Sequence, residues 1–477
     1  MVSIIFGKNM RYPNIEQIFS PQERYPEYLL NHFSHEPNNV YSSVRRVFSQ
    51  SGLDDKDYDT CKWNPLGCYI KSGQKVFVLC NFVYHRRQME TKKNFLGKCI
   101  HGSVLRSLVD YILLAIGPKG KVFIGNAPLQ SCNWNSVLSD TYADQVIKFY
   151  RDRGFPVEPA DLRLFVAERS MVGKITNVQK RDDRDGVYVN LGDDSLIAEI
   201  DHANARYRVL DYDPRRIESF HRDGRHVYVI NRKVLESDVI FSLAKLKTHE
   251  KVGITCAIKG CVGAVGHKDC LAHHRFGPPS MGGDEYPSDA FGIRRKLSYF
   301  HDYVQQQPLE DKKGRYLRIL DRIIRRSIRQ LFPIEGGSWA GNDTCYRMAV
   351  DLARILFYAK ADGKMELKKV RKHLAMIDGI YGGEGNGPLS PRAVNSGLLI
   401  FGDNPVASDY AAAILMGYKP EDLPIVSKAV RVRQYPLIDE PITNERIFYN
   451  RTIIGFKELG KQVSYHYRPP RGWPNLV

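Results

Sequence analysis

Apolar residues along the chain fall into short runs divided by turns. Lys75-Val-Phe-Val-Leu-Cys-Asn-Phe-Val follows a Ser-Gly turn and reads as a buried strand. From Ser103 to Ile116, Val104, Leu105, Leu108, Ile112 and Ala115 recur at helical spacing, and Gly117-Pro118 stops the pattern. Lys121-Val-Phe-Ile-Gly then predicts a second strand, and strand, helix, strand at this spacing opens a parallel sheet. Further strands are predicted at 162–166, 187–191, 207–210, 226–230, 239–243 and 398–401, with helices at about 138–153, 343–359 and 405–416. The alternation predicts an α/β fold: a layered, mainly parallel sheet with flanking helices and a basic helical insertion.

Residues 1 to about 70 lack sustained periodicity and predict an irregular leader or cover. An α/β domain is expected over 71–425, interrupted at about 270–340 by a Pro/Gly-rich loop and a strongly basic helical region, with a basic C-terminal extension over 426–477. Hydrophobic residues are 43% and charged residues 26%, which excludes wholesale disorder. The longest apolar run, Tyr410 to Met416, is far short of the roughly 20 residues of a membrane helix. Lys plus Arg number 70 against 53 Asp plus Glu, a balance that favours anionic partners. The start of the chain lacks the pattern of a secretory signal, and nine cysteines in so long a sequence are not a disulfide framework; a reducing, cytoplasmic setting is expected.

Candidate chemistry is densest from Lys245 to Glu285. Lys245, Lys247 and His249 follow a predicted strand, Lys259 comes next, and glycines stand at 260, 263 and 266. Lysines at a strand's carboxyl end beside exposed backbone amides suit a phosphate or carboxylate; the blander reading is a small-residue helix packed on the sheet with lysines in solvent. Alternation in an extended chain would put Lys245, Lys247 and His249 on one side. His249, Cys256, Cys261, His267, Cys270, His273 and His274 crowd 26 residues, yet match no zinc-finger or iron–sulfur spacing. Asn342 or Asp343 can cap the helix that follows. Asp378 to Pro388 carries Asp378, Glu384 and Asn386 in a stretch that reads as too glycine-rich for helix or strand, and Asp409 falls just past the first turn of a predicted helix.

From Lys245 to Gly266 the sequence resembles the signature of the prokaryotic family catalogued as domain of unknown function 362. The resemblance continues, in order, through Gly125-Asn-Ala-Pro-Leu-Gln-Ser-Cys, His273-His-Arg275-Phe-Gly-Pro-Pro, Gly282-Gly-Asp-Glu-Tyr-Pro, Gly341-Asn-Asp-Thr and Asp378 to Pro388. It implies a fold and a site position rather than a reaction. Many members carry an added ferredoxin-like segment that this chain lacks. Leu79-Cys80-Asn81 stands where relatives usually have Lys-Pro-Asn, and Asn126 where Asp is common.

The expectation is a cytoplasmic enzyme acting on an anionic small molecule or conjugate, phosphorylated or carboxylated, with a divalent metal as candidate cofactor. Lys245, Lys247, Lys259, Arg275, Asn342 and Asn386 are the candidate substrate-binding residues. His249, His273, His274, Asp378 and Glu384 are the catalytic candidates, and Asp284, Glu285 and Asp409 the metal candidates. A rival reading is a non-catalytic basic protein. In it, the helix from Arg315 to Arg329, with Leu317, Leu320, Ile324, Ile328 and Leu331 on one face, meets a membrane surface or nucleic acid. A third, a metal or iron–sulfur redox protein, rests on the Cys/His cluster.

Overall fold

The computed structural model describes residues 1–169, 175–202, 205–209, 212–289, 292–308, 311–328, 331–462 and 465–476. The main sheet contains β1 (Val2–Phe6), β2 (Lys75–Cys80), β3 (Lys121–Asn126), β4 (Val157–Asp161), β5 (Val239–His249), β6 (Lys372–Glu384), β7 (Arg392–Gly402), β8 (Ile447–Tyr449) and β9 (Thr452–Ile454). Their order is β9-β8-β1-β7-β6-β5-β2-β3-β4, and Gly253–Ile254 folds back as a tenth strand onto the end of β5. β4, β3, β2, β5 and β6 are mutually parallel, whereas β7 runs against β6 and β1. This is a mostly parallel α/β sheet.

The principal helices are α1 (Asn39–Ser49), α2 (Gly102–Ile116), α3 (Ala143–Arg151), α4 (Cys256–Gly260), α5 (Ile293–Gln306), α6 (Lys312–Ile328), α7 (Cys345–Tyr358) and α8 (Pro405–Leu415). Both faces of the sheet are covered, so its strands are continuously apolar rather than alternating. In β5, Val239, Phe241 and Leu243 join α1, α2 and α3 in one core, while Ile240, Ala244 and Leu246 join α4, α7 and α8 in the other. Among the described residues no helix is long and apolar enough to cross a membrane.

Several elements differ from the sequence reading. The segment expected as an irregular leader supplies β1, an inner strand, and α1, and the C-terminal extension supplies the hairpin β8–β9. The strand expected at 162–166 is displaced. The sheet edge is β4, whose Glu158-Pro159 reads as loop, and proline is tolerated because the edge leaves its missing donor unneeded. The glycine-rich stretch from Asp378 to Glu384, expected to be neither helix nor strand, is the carboxyl half of β6. Its glycines permit close packing: a Cβ on Gly383 would lie 2.4 Å from the Gly97 carbonyl oxygen, and one on Gly379 2.7 Å from Leu246.

The chain leaves β2 toward β3 and β4, but leaves β5 toward β6. The boundary between neighbouring β2 and β5 is therefore the point at which the crossovers diverge, where a crevice forms outside the carboxyl ends of the strands.

Candidate functional site

A cavity of about 1120 Å³ opens at that crevice. Its wall takes Asn81 from the end of β2, Asn126 from β3, Arg163 from just beyond β4, and Lys247 and His249 from β5. Lys259 and Gly260 come from α4, and Lys251, Thr255, Lys268 and His273 from the connecting loops. Among the described lining residues, seven are lysine or arginine and two, Glu168 and Glu250, are acidic.

Close backbone packing builds the floor. Asn126 Nδ2 donates to the Cys80 carbonyl at 2.6 Å, tying the ends of β3 and β2. Gly263 packs directly over that amide, where a Cβ would fall 2.1 Å from Nδ2, and its carbonyl accepts from Ala127 N at 2.6 Å. Arg163 donates to the carbonyls of Gln130 and Cys132 and pairs with Asp161, which fixes the loop after β3. Asp409, from α8, accepts from Ala257 N at 2.7 Å and Ile258 N at 2.8 Å and so anchors the start of α4. Lys259 is the next residue along α4, so that anchor places it.

Four lysines face this floor without a salt bridge among the described residues: Lys247, Lys251, Lys259 and Lys268. Lys247 Nζ donates to Asn81 Oδ1 at 2.9 Å and to the Lys98 carbonyl at 2.6 Å. Lys268 Nζ donates to the Ala127 and Val262 carbonyls at 2.6 and 3.2 Å. Each of these two ammonium groups has three N–H donors and spends two on the protein. Lys251 donates to the Gly336 carbonyl. Lys259 is 7% exposed and has no hydrogen-bond or ion-pair partner among the described residues. Burial pushes Lys247 and Lys268 down to about 7 and also lowers Lys259, because an ammonium without a counter-charge is poorly solvated there. The buried Thr255 hydroxyl on the same wall also lacks a partner among the described residues.

Two imidazoles complete the wall. His249 Nδ1 accepts from Lys251 N at 3.1 Å, so its neutral ring carries the proton on Nε2. His273 Nδ1 lies 2.8 Å from the Leu271 carbonyl, which can only accept, so its neutral ring keeps the lone pair on Nε2. Burial, with Lys259 and Lys251 nearby, holds both well below the ordinary histidine range. Asn342 steadies this arrangement. Its Nδ2 donates to the His273 carbonyl at 2.9 Å, and its Oδ1 accepts from Thr344 N and Cys345 N at the start of α7.

The remaining sequence candidates lie off the cavity wall. Lys245 is fully buried 3.1 Å from Asp378 and donates to the Tyr12 hydroxyl; Asp378 also accepts from Tyr12 and from His101 N. Lys245 therefore does not share a cavity with Lys247, despite their alternation. Four residues of β6, Gly379 to Gly382, lie between Asp378 and Gly383, the partners of Lys245 and Lys247, where β5 has only Leu246. Glu384 is bound by Arg392, Tyr465 and Arg468 N, and Asn386 Oδ1 accepts from Arg471 N. His274 alternates away from His273 toward a second, small cavity beneath α5 and α6. Arg275 is held beside Asp284, whose oxygens also accept from Arg275 N, Asp343 N and the Thr344 hydroxyl. Glu285 accepts from Gly277 N and Ser298. The three metal candidates are thus bonded at separate places, and among the described residues no group of three or more His, Cys, Asp or Glu side chains is arranged to hold a metal ion.

A family model described as Domain of unknown function (DUF362) matches residues 141–414. The chain belongs to that family. The DUF362 match contains β5, α4, every lysine of the cavity, His249 and His273, while Asn81, His85 and Asn126 precede it. No curated protein and no solved structure matches the chain.

Lys251, Lys268, Arg163 and Thr255 were not among the sequence candidates. Lys268 carried a usable signal: it directly follows the glycines at 260, 263 and 266, so the basic cluster continues past the loop. Arg163 and Thr255 had none, since only the return of β4 and α4 to one crevice brings them together.

Proposed function

We propose that this protein is an enzyme, working in a reducing, cytoplasmic setting, that binds an anionic small molecule or conjugate in the cavity at the ends of β2 and β5. The substrate class is phosphorylated or carboxylated. One observation carries the reading: Lys259, Lys247 and Lys268 are buried on one wall with no carboxylate paired to them among the described residues. Burying unpaired ammonium groups is costly, and an anion arriving from solvent offsets that cost where a protein carboxylate would have left nothing to bind. The volume suits a ligand larger than an inorganic ion, since small-molecule sites usually occupy about 300–1000 Å³. The cysteines are all unpaired, in keeping with a reducing compartment.

In this reading Lys259 and the free donors of Lys247 and Lys268 bind the anion. His273 Nε2 accepts a proton from the substrate, and His249 Nε2–H donates a hydrogen bond to an oxygen on which charge develops. Preorganised donors of this kind act strongly in a water-poor site. Titration calorimetry with inorganic phosphate, pyrophosphate and citrate tests the binding half. At least one should bind in a salt-sensitive manner, and Lys259→Ala should weaken it by about 1.5–3 kcal/mol, the scale of a hydrogen bond to a charged group. Binding that is indifferent to Lys259→Ala, Lys247→Ala and Lys268→Ala would overturn the assignment.

A further inference from the structure

α5 and α6 pack as a helical hairpin outside the main sheet, and α6 is apolar on its outer face as well as its inner one. Its charged residues Asp321 and Arg325 turn inward: Asp321 lies 3.0 Å from His301 Nδ1 on α5, and Arg325 Nη1 lies 3.1 Å from His301 Nε2. Turned outward are Tyr316, Ile319, Leu320 and Ile323, exposed by 73, 39, 46 and 57%. Their spacing of i, i+3, i+4 and i+7 makes one continuous apolar stripe. Leu317 and Ile324, expected on one face with Leu320 and Leu331, are half-buried, whereas Leu320 is on the outer stripe and Leu331 is exposed; Arg329 lies outside the described residues. On α5, Tyr299 and Tyr303 are also exposed.

We propose that this stripe is a docking surface for an anionic lipid bilayer. Charge complementarity selects that occupant. α6 carries Lys312, Lys313, Arg315, Arg318, Arg322, Arg325 and Arg326 against the single acid Asp321, and helical geometry sets Arg315, Arg322 and Arg326 along one flank of the apolar stripe. An interfacial helix needs this combination: apolar side chains that enter the acyl boundary and cations level with the headgroups of an anionic surface. Tyrosines suit the same interface, where the ring is buried and the hydroxyl stays wet. A nucleic-acid duplex would satisfy the arginines but leave Ile319 and Ile323 in water.

Flotation of the full chain with vesicles of phosphatidylcholine alone, and of phosphatidylcholine mixed equally with phosphatidylglycerol, tests the proposal. Binding to the mixed vesicles should exceed binding to the neutral ones by at least about tenfold and should fall with salt. Ile319→Glu with Ile323→Glu should remove it without altering the circular dichroism spectrum, because both side chains are exposed. Arg315→Gln with Arg326→Gln should reduce both affinity and salt dependence. Equal binding to the two vesicle types, or binding untouched by the paired Ile substitutions, overturns it. So does sedimentation showing that the apolar stripe is covered by a second copy of the chain, or nucleic-acid binding that survives the Ile substitutions in a protein that does not float.

Discussion

His249 and His273 present opposite halves of imidazole chemistry to one cavity: the first is fixed as an Nε2–H donor by Lys251 N, the second as an Nε2 acceptor by the Leu271 carbonyl. Protonating His249 would break its bond from Lys251 N, whereas protonating His273 would leave its bond to Leu271 intact. In the proposed reading His273 is therefore the proton acceptor of the pair. His273→Gln should abolish turnover of any substrate found while leaving its affinity within about threefold, a change of roughly 0.7 kcal/mol. His249→Gln, which can still donate from its amide, should retain measurable turnover. Single-turnover kinetics on both variants distinguishes the two roles, and equal losses would remove the distinction.

Proton linkage should fall on the lysines rather than on His249. With Lys247 and Lys268 lowered to about 7 in the folded chain and near 10.4 unfolded, only the unfolded state keeps these protons between those values. Their contribution to stability therefore rises with pH from about 7 to about 10 and is flat below 7, where both states are protonated. Anion binding has the opposite slope. It favours the ammonium forms, so affinity should be greatest below pH 7 and decline above it, with proton uptake at pH 8. Calorimetry in buffers of different ionisation enthalpy reads that uptake, and a value of zero at pH 8 would exclude the lysines as its source.

Lys245 and Asp378 are expected to matter for folding rather than binding. Lys245→Met strands a buried carboxylate and should cost about 3–5 kcal/mol. Combining it with Asp378→Leu should recover part of that loss, since a hydrophobic pair needs no solvation. Urea denaturation of the single and double variants measures the difference; equal stability of Lys245→Met and the parent would contradict the buried pair.

Asp409→Ala leaves Ala257 N and Ile258 N unsatisfied in the core. Destabilisation of about 2–4 kcal/mol is expected from two stranded donors, together with weakened anion binding as Lys259 loses its anchor. Thermal unfolding followed with and without pyrophosphate reports both effects.

Gly260 offers a way to block the cavity without damaging the fold. A Cβ there meets nothing within 4 Å, and the residue lies inside α4 without a left-handed backbone. Gly260→Ala should leave stability unchanged or raise it by up to about 1 kcal/mol. Gly260→Leu should fill space at the wall and reduce ligand affinity at least tenfold. A Gly260→Leu protein that unfolds, or that binds normally, would show that the space over α4 is not where the ligand sits.

The core of the fold was readable because β2, α2, β3 and the start of β5 are apolar runs with clear stops, and their alternation dictates a parallel sheet. Three features were hidden. β1 is five residues long and gives no period; β4 is a polar edge strand containing Pro159; and β6 owes its glycines to close packing, a cause that resembles a loop in sequence. At the site, Lys247, Lys259, His249 and His273 were legible from local density. Lys245 was grouped with them by alternation, but its partner Asp378 lies 133 positions away and the bulge in β6 is invisible in sequence. Asn342, one of two residues expected to cap α7, accepts from Thr344 N and Cys345 N at its start, but its bond to the His273 carbonyl required the tertiary fold.

The position of β1 has a consequence for synthesis. Val2–Phe6 is held between β7, near residue 400, and β8, near residue 448, so this strand leaves the ribosome long before either of its neighbours. At about 5–20 residues per second, its apolar face waits on the order of tens of seconds while β2, β3 and β5 have already emerged. On this order of synthesis the sheet grows outward from the β2–β5 boundary, with the cavity there taking shape before β1 is recruited. The closing strands seal a core whose crevice is already in place.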